Sequence, residues 1–124
     1  MEITIENFTK RFGDLTVIDK MNLKILEGEM LALLGPSGCG KSTTLFTICG
    51  ILRADSGRIF FGNTDVSDIP AQMRNVGVVF QSYALYPHMS VFENIAFPLK
   101  VKKESKQIIQ QKVRDIAELV HIEK

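Results

Sequence analysis

The tightest constraint on this chain is a run of glycines set directly behind an apolar pentapeptide. Residues 30–34 read MLALL, residues 35–42 read GPSGCGKS, and Thr43 leads into a stretch that stops at Gly50. The spacing G-x-x-x-x-G-K-[ST] is that of a polyphosphate cradle. Gly35, Gly38 and Gly40 allow close approaches that a side chain would forbid. Successive N–H groups can then turn inward around an anion, while Pro36, Ser37 and Cys39 occupy the variable positions. Lys41 adds a point charge for the β- and γ-phosphates, and the Ser42 hydroxyl is placed to ligate Mg²⁺. Lys41 also begins a run of helical character, so the anion would sit at a helix N-terminus.

The flanks support this reading. Residues 30–34 have the length and composition of a fully buried parallel strand. The helix after the loop places Leu45, Ile48 and Cys49 on one face. A second apolar run, VGVVF at residues 76–80, is the other candidate central strand, and Gln81 follows at the end where α/β sheets bind ligands. Gln81 either ends the strand or offers its carbonyl to a metal or water beside the phosphates.

The remaining pattern is mixed. Residues 3–8 have period two and predict a strand, followed by a turn over residues 9–14. In that turn Phe12 is either an aromatic tucked on the sheet edge or a ring stacked on a base. A second strand lies within residues 15–25, a turn over 26–29, and a third strand over 58–61. Asp65 and Asp68 read as turn and capping residues. Residues 82–88 form an aromatic-rich loop in which His88 is a turn residue, and Ser90 with Glu93 is a capping box opening a helix that ends near Pro98. Over residues 104–123, Ile109, Val113, Ile116 and Val120 mark one apolar helical face.

With 124 residues the chain is one domain or a piece of one, large enough for a real core. Fifteen basic and 14 acidic residues leave a net charge of +1, which gives no electrostatic case for nucleic acid. Cys39 and Cys49 lack metal-ligand spacing and read as reduced thiols of a cytosolic protein. Neither a signal peptide nor an apolar stretch of bilayer length is visible. Hydrolysis of a nucleoside triphosphate also needs an acidic residue after an apolar strand, yet residues 76–80 end in Gln81. The chain is therefore expected to bind nucleotide without a complete hydrolytic site.

GPSGCGKST at residues 35–43, VVFQ at 78–81 and YALYPHMSVFENIAFPL at 83–99 together resemble the ATP-binding-cassette (ABC) ATPases, most closely importer subunits for sugars, with polyamine importers near. The resemblance implies a P-loop NTPase (RecA-like) α/β core with an antiparallel β subdomain and the start of an α-helical subdomain. It implies a core over residues 1–88 and a helical part over 89–124. Phe12 then matches the ring that stacks on adenine, residues 35–42 the phosphate loop, Ser42 a Mg²⁺ ligand, Thr43 an α-phosphate contact, and Gln81 a residue meeting Mg²⁺ and the attacking water. The stretch from Tyr83 to Met89 resembles the surface that receives a membrane permease. A second ATPase subunit, the same or a different chain, would complete each ATP site, at the cytoplasmic face of the membrane. The family's signature motif, catalytic glutamate and switch histidine have no match here, and His121 stands where relatives often carry Gly. The expectation is an N-terminal portion of a longer ATPase that exposes apolar surface and tends to self-associate. The alternatives are a non-catalytic binding and docking module, or a small P-loop phosphotransferase, for which Arg74 and Arg114 are too few to build a lid.

Overall fold

The computed structural model describes residues 1–123, which divide into two compact units, residues 1–78 and the residues from 79 onward. The first unit holds four strands and one helix: β1 (Ile3–Phe12), β2 (Leu15–Ile25), α1 (Lys41–Cys49), β3 (Ser56–Phe61) and β4 (Thr64–Asp65). A 3₁₀ turn follows at Ala71–Met73. The strands form an antiparallel sheet in the order β2-β1-β3-β4, the antiparallel β subdomain that the resemblance implies.

β1 is longer than its period-two stretch. It runs to Phe12, and only Gly13 and Asp14 remain as the turn before β2, with Phe12 opposite Leu15. The alternation hides this because the strand bulges. Pairing is regular from Ile3 to Ile5, slips before Phe8, and Asn7 takes φ of 47°. The extra residue flips the pleat, so Ile5 and Phe8 both face inward although three apart. With Ile18, Ile48, Ile59, Phe61 and Val66 they make the core between sheet and helix.

α1 is terminated by Gly50 in the left-handed region, as the sequence suggests. Its buried face differs from expectation: Thr44, Thr47 and Ile48 are inside, whereas Leu45 is half exposed. The two threonines are tolerated because their hydroxyls donate to the carbonyls of Gly40 and Thr43, both at 2.8 Å. Asp65 lies in β4, where it accepts from the Ser67 N–H and hydroxyl and holds Arg58 at 3.1 Å, and Asp68 pairs with Arg53.

The two apolar runs expected as central strands form no ladder among the described residues. Met30, Leu34 and Val79 are almost wholly exposed, at 97%, 92% and 87%. A strand is stable through the neighbouring strands that satisfy its backbone, and among the described residues no strand pairs with 30–34 or 76–80. Only Val76 of the second run packs on the core.

The second unit contains α2 (Val91–Val101) and α3 (Lys106–Leu119), packed through Ala96, Ile109 and Val113 with Ile95 and Leu99 beside them. Of the expected α3 stripe, Ile109 and Val113 are buried while Ile116 and Val120 stay about half exposed. Pro98 falls in the second half of α2, and the helix continues past it to Val101. The capping box is complete: Glu93 N–H donates to Ser90 Oγ at 3.2 Å, and Ser90 N–H donates to the Glu93 carboxylate at 2.8 Å. That backbone N–H, with the Ser90 hydroxyl next, holds the Glu93 carboxyl below its ordinary pKa. A depressed folded-state value stabilises above the unfolded pKa and is lost as pH falls through the folded one. Lowering the pH from 6 to 3 is therefore expected to destabilise α2 progressively. In Glu93→Gln this contribution should vanish, read by the pH dependence of thermal melting at 222 nm. Equal pH slopes for the two proteins would contradict the assignment.

Candidate functional site

The loop at residues 35–42 lies in the first unit, largely solvent-exposed, and runs straight into α1, whose first residue is Lys41. Gly40 takes the N-cap position with φ of 94° and no side chain caps the helix. The first N–H groups of α1 thus point out of a helix end with no side-chain acceptor, which is the arrangement an anion completes. A Cβ on Gly35 would lie 2.6 Å from Cys39 Sγ, so a larger residue there would turn the exposed thiol aside. Lys41 Nζ reaches back over the loop and donates to the carbonyls of Gly35 at 2.6 Å and Pro36 at 2.8 Å, with Cys39 Sγ at 3.5 Å. The ammonium is therefore already inside the turn, on carbonyls that phosphate oxygens can replace. Pro36 O also accepts from Cys39 N–H, closing the turn through Ser37 and Gly38. Ser42 is exposed at the helix start and Thr43 is partly buried beside it.

The structure brings this loop close to the strand pair carrying Phe12. A Cβ on Gly40 would stand 3.1 Å from both Val17 and Ile18 side chains on β2. Val17 is only two residues along β2 from Leu15, the partner of Phe12, roughly 7 Å of strand. Phe12 is about half exposed, and Lys10 Nζ lies 5.3 Å from its ring centre. An aromatic face and a phosphate cradle thus lie a short strand segment apart, within one compact unit.

Gln81 belongs to the second unit, exposed at the start of a four-residue turn, 81–84, in which Tyr83 and Ala84 both take positive φ. The surrounding loop exposes Tyr83 at 76% and Leu85 at 72%, while Tyr86 packs on Phe97 at 4.9 Å between ring centres. Asn94 pins this loop, accepting from Tyr86 N–H at 2.9 Å and donating to the carbonyls of Tyr86, Met89 and Ser90.

Arg74 is the structural residue that sequence reasoning missed. It is 6% exposed and donates to the carbonyls of Ile69 (2.7 Å), Thr47 and Ile48 (both 2.9 Å) and Ser67 (3.3 Å). It therefore ties the carbonyl end of α1 to the 67–69 segment, where a cation is also favoured by the helix dipole. Burial lowers its pKa, and Cys49 opposes that more weakly. Burial likewise raises the Cys49 thiol. Both cysteines are free, and no cluster able to hold a metal by carboxylate, thiolate or imidazole exists among the described residues. No helix among the described residues is long and apolar enough to cross a membrane.

Comparison with known proteins points one way. The family model described as ABC transporter matches residues 18–124. The spermidine/putrescine import ATP-binding protein PotA of Clostridioides difficile is 47% identical over 121 residues, covering 98% of this chain and 35% of that protein. The maltose/maltodextrin import ATP-binding protein MalK of Klebsiella aerogenes is 46% identical over 120 residues, covering 97% of this chain and 41% of its own length. The chain thus spans little more than a third of the length of these relatives. Among solved structures, a dimeric ATP-binding cassette in a post-hydrolysis state, bound to ADP and Pi, superposes with a TM-score of 0.84 at 27% identity. That match covers 96% of this chain and 57% of the other.

Proposed function

The chain belongs to the ABC transporter family, with a P-loop NTPase fold, and from that membership we propose that it is the ATP-binding part of an importer ATPase. The observation that carries the reading is the uncapped start of α1 with Lys41 folded into the glycine loop. The triphosphate takes the place of the loop carbonyls at Lys41 Nζ and receives the N–H groups of residues 38–43. Thr43 contacts the α-phosphate. The base lies on the Phe12 ring, a reading supported by the short stretch of β2 between Leu15, opposite Phe12, and Val17 beside Gly40.

Ser42 would offer Mg²⁺ one neutral hydroxyl oxygen, too weak a site alone, so the ion would be held chiefly by the phosphates whose charge it neutralises; Gln81, in the other unit, would offer its side-chain carbonyl. The solute is a carbohydrate or a polyamine, a reading supported by relatives named for spermidine/putrescine and for maltose/maltodextrin import. Residues 1–88 form the nucleotide-binding part and 89–124 open the helical part. The exposed loop from Tyr83 to Met89 meets a permease at the cytoplasmic membrane face, and a second ATPase subunit closes over the nucleotide. Family membership argues against the small phosphotransferase.

Calorimetric titration tests this. ATP and tripolyphosphate should both release heat on binding, and AMP should not, because the grip is on the phosphates. Silence from both polyphosphates would overturn the proposal.

A further inference from the structure

A phosphate cradle does not explain the setting of Lys10. Its side chain is only 14% exposed, unusual for lysine, although it lies near the end of a strand. Its ammonium stands 5.3 Å from the centre of the Phe12 ring and 3.6 Å from Asp55 Oδ2. Asp55 is itself fixed. Its Oδ2 accepts from Arg11 N–H at 2.6 Å, and its own N–H donates to Thr9 O at 3.0 Å. Lys10 and Phe12 are two apart on β1, and the contact between ammonium and ring shows that they meet despite the register shift after Lys10. The cation therefore sits over the ring, while about half of Phe12 remains open to solvent.

We propose that Lys10, anchored by Asp55, is a positioning residue that holds the Phe12 ring in place as the platform for a purine base. The inference rests on the reading of Phe12 given above as the base-stacking ring. A phenylalanine at an exposed strand end samples several rotamers, and a base that stacks on it must freeze them. An ammonium over one face is attracted to the ring quadrupole and fixes the ring beforehand. It also draws π-density toward itself, which makes the other face a better partner for an electron-rich purine. Asp55 keeps the ammonium over the ring instead of in bulk water.

The test compares ATP with tripolyphosphate, which has the phosphates and no base, by calorimetry on the full chain. Lys10→Met and Asp55→Asn should each weaken ATP about two- to fivefold and leave tripolyphosphate unchanged. Lys10→Arg should restore ATP affinity, and Lys10→Met should have no effect in a Phe12→Ala background. A purely structural role would move both ligands together, so equal losses would overturn the proposal. It would also fall if Phe12→Ala weakened ATP while Lys10→Met did not. Unchanged ATP affinity in Phe12→Ala would remove the platform itself, and failure of both ligands to bind the parent chain would remove the cradle.

Discussion

Arg74→Ala should lower the stability of the first unit by about 1.5–3 kcal/mol, a large part of what a small domain has. The guanidinium serves four carbonyls at 2.7 to 3.3 Å, and two of them, Thr47 and Ile48, lie in the last turn of α1, where Thr47 O also accepts from Gly50 N–H. Truncation leaves those acceptors in a site where Arg74 was only 6% exposed, so water replaces the donor poorly. Arg74→Lys keeps the charge but loses the planar fork, and should fall between the two. Urea unfolding followed by circular dichroism measures it. A change within about 0.5 kcal/mol of the parent, the range of ordinary surface substitutions, would show that Arg74 is not the tie described.

Lys41→Ala should leave stability nearly unchanged and weaken ATP by at least about tenfold. Removing one partner of a charge-assisted hydrogen bond costs about 1.5–3 kcal/mol, and 1.4 kcal/mol is tenfold in affinity. Folding is spared because the acceptors of Lys41 are the carbonyls of Gly35 and Pro36, both in exposed residues that water can reach. Calorimetry reads the affinity, and thermal melting reads the stability.

What was legible in the sequence was local. The glycine loop, the start of α1 at Lys41, its stop at Gly50 and the Ser90–Glu93 box each depend on residues within a few positions of one another. What escaped depends on distant parts of the chain. Residues 30–34 and 76–80 carry strand-like composition, but a ladder needs a neighbour that composition does not supply. The bulge at Asn7 conceals the continuation of β1 through Lys10 to Phe12, and with it the Lys10–Phe12 pairing. Extending the alternation two residues at a time from Phe8 would have found both. Arg74 has no sequence signal, because its acceptors are main-chain atoms up to 27 positions away.

α1 is held differently at its two ends. Its carbonyl terminus is riveted by Arg74 and seated on Ile48, while its amide terminus opens into exposed glycines. An arriving anion meets the exposed residues 35–39, while Gly40 beneath them rests on β2. Recognition and folding are thereby assigned to opposite tips of a nine-residue rod, so sequence drift around the loop alters what is gripped while the scaffold beneath survives.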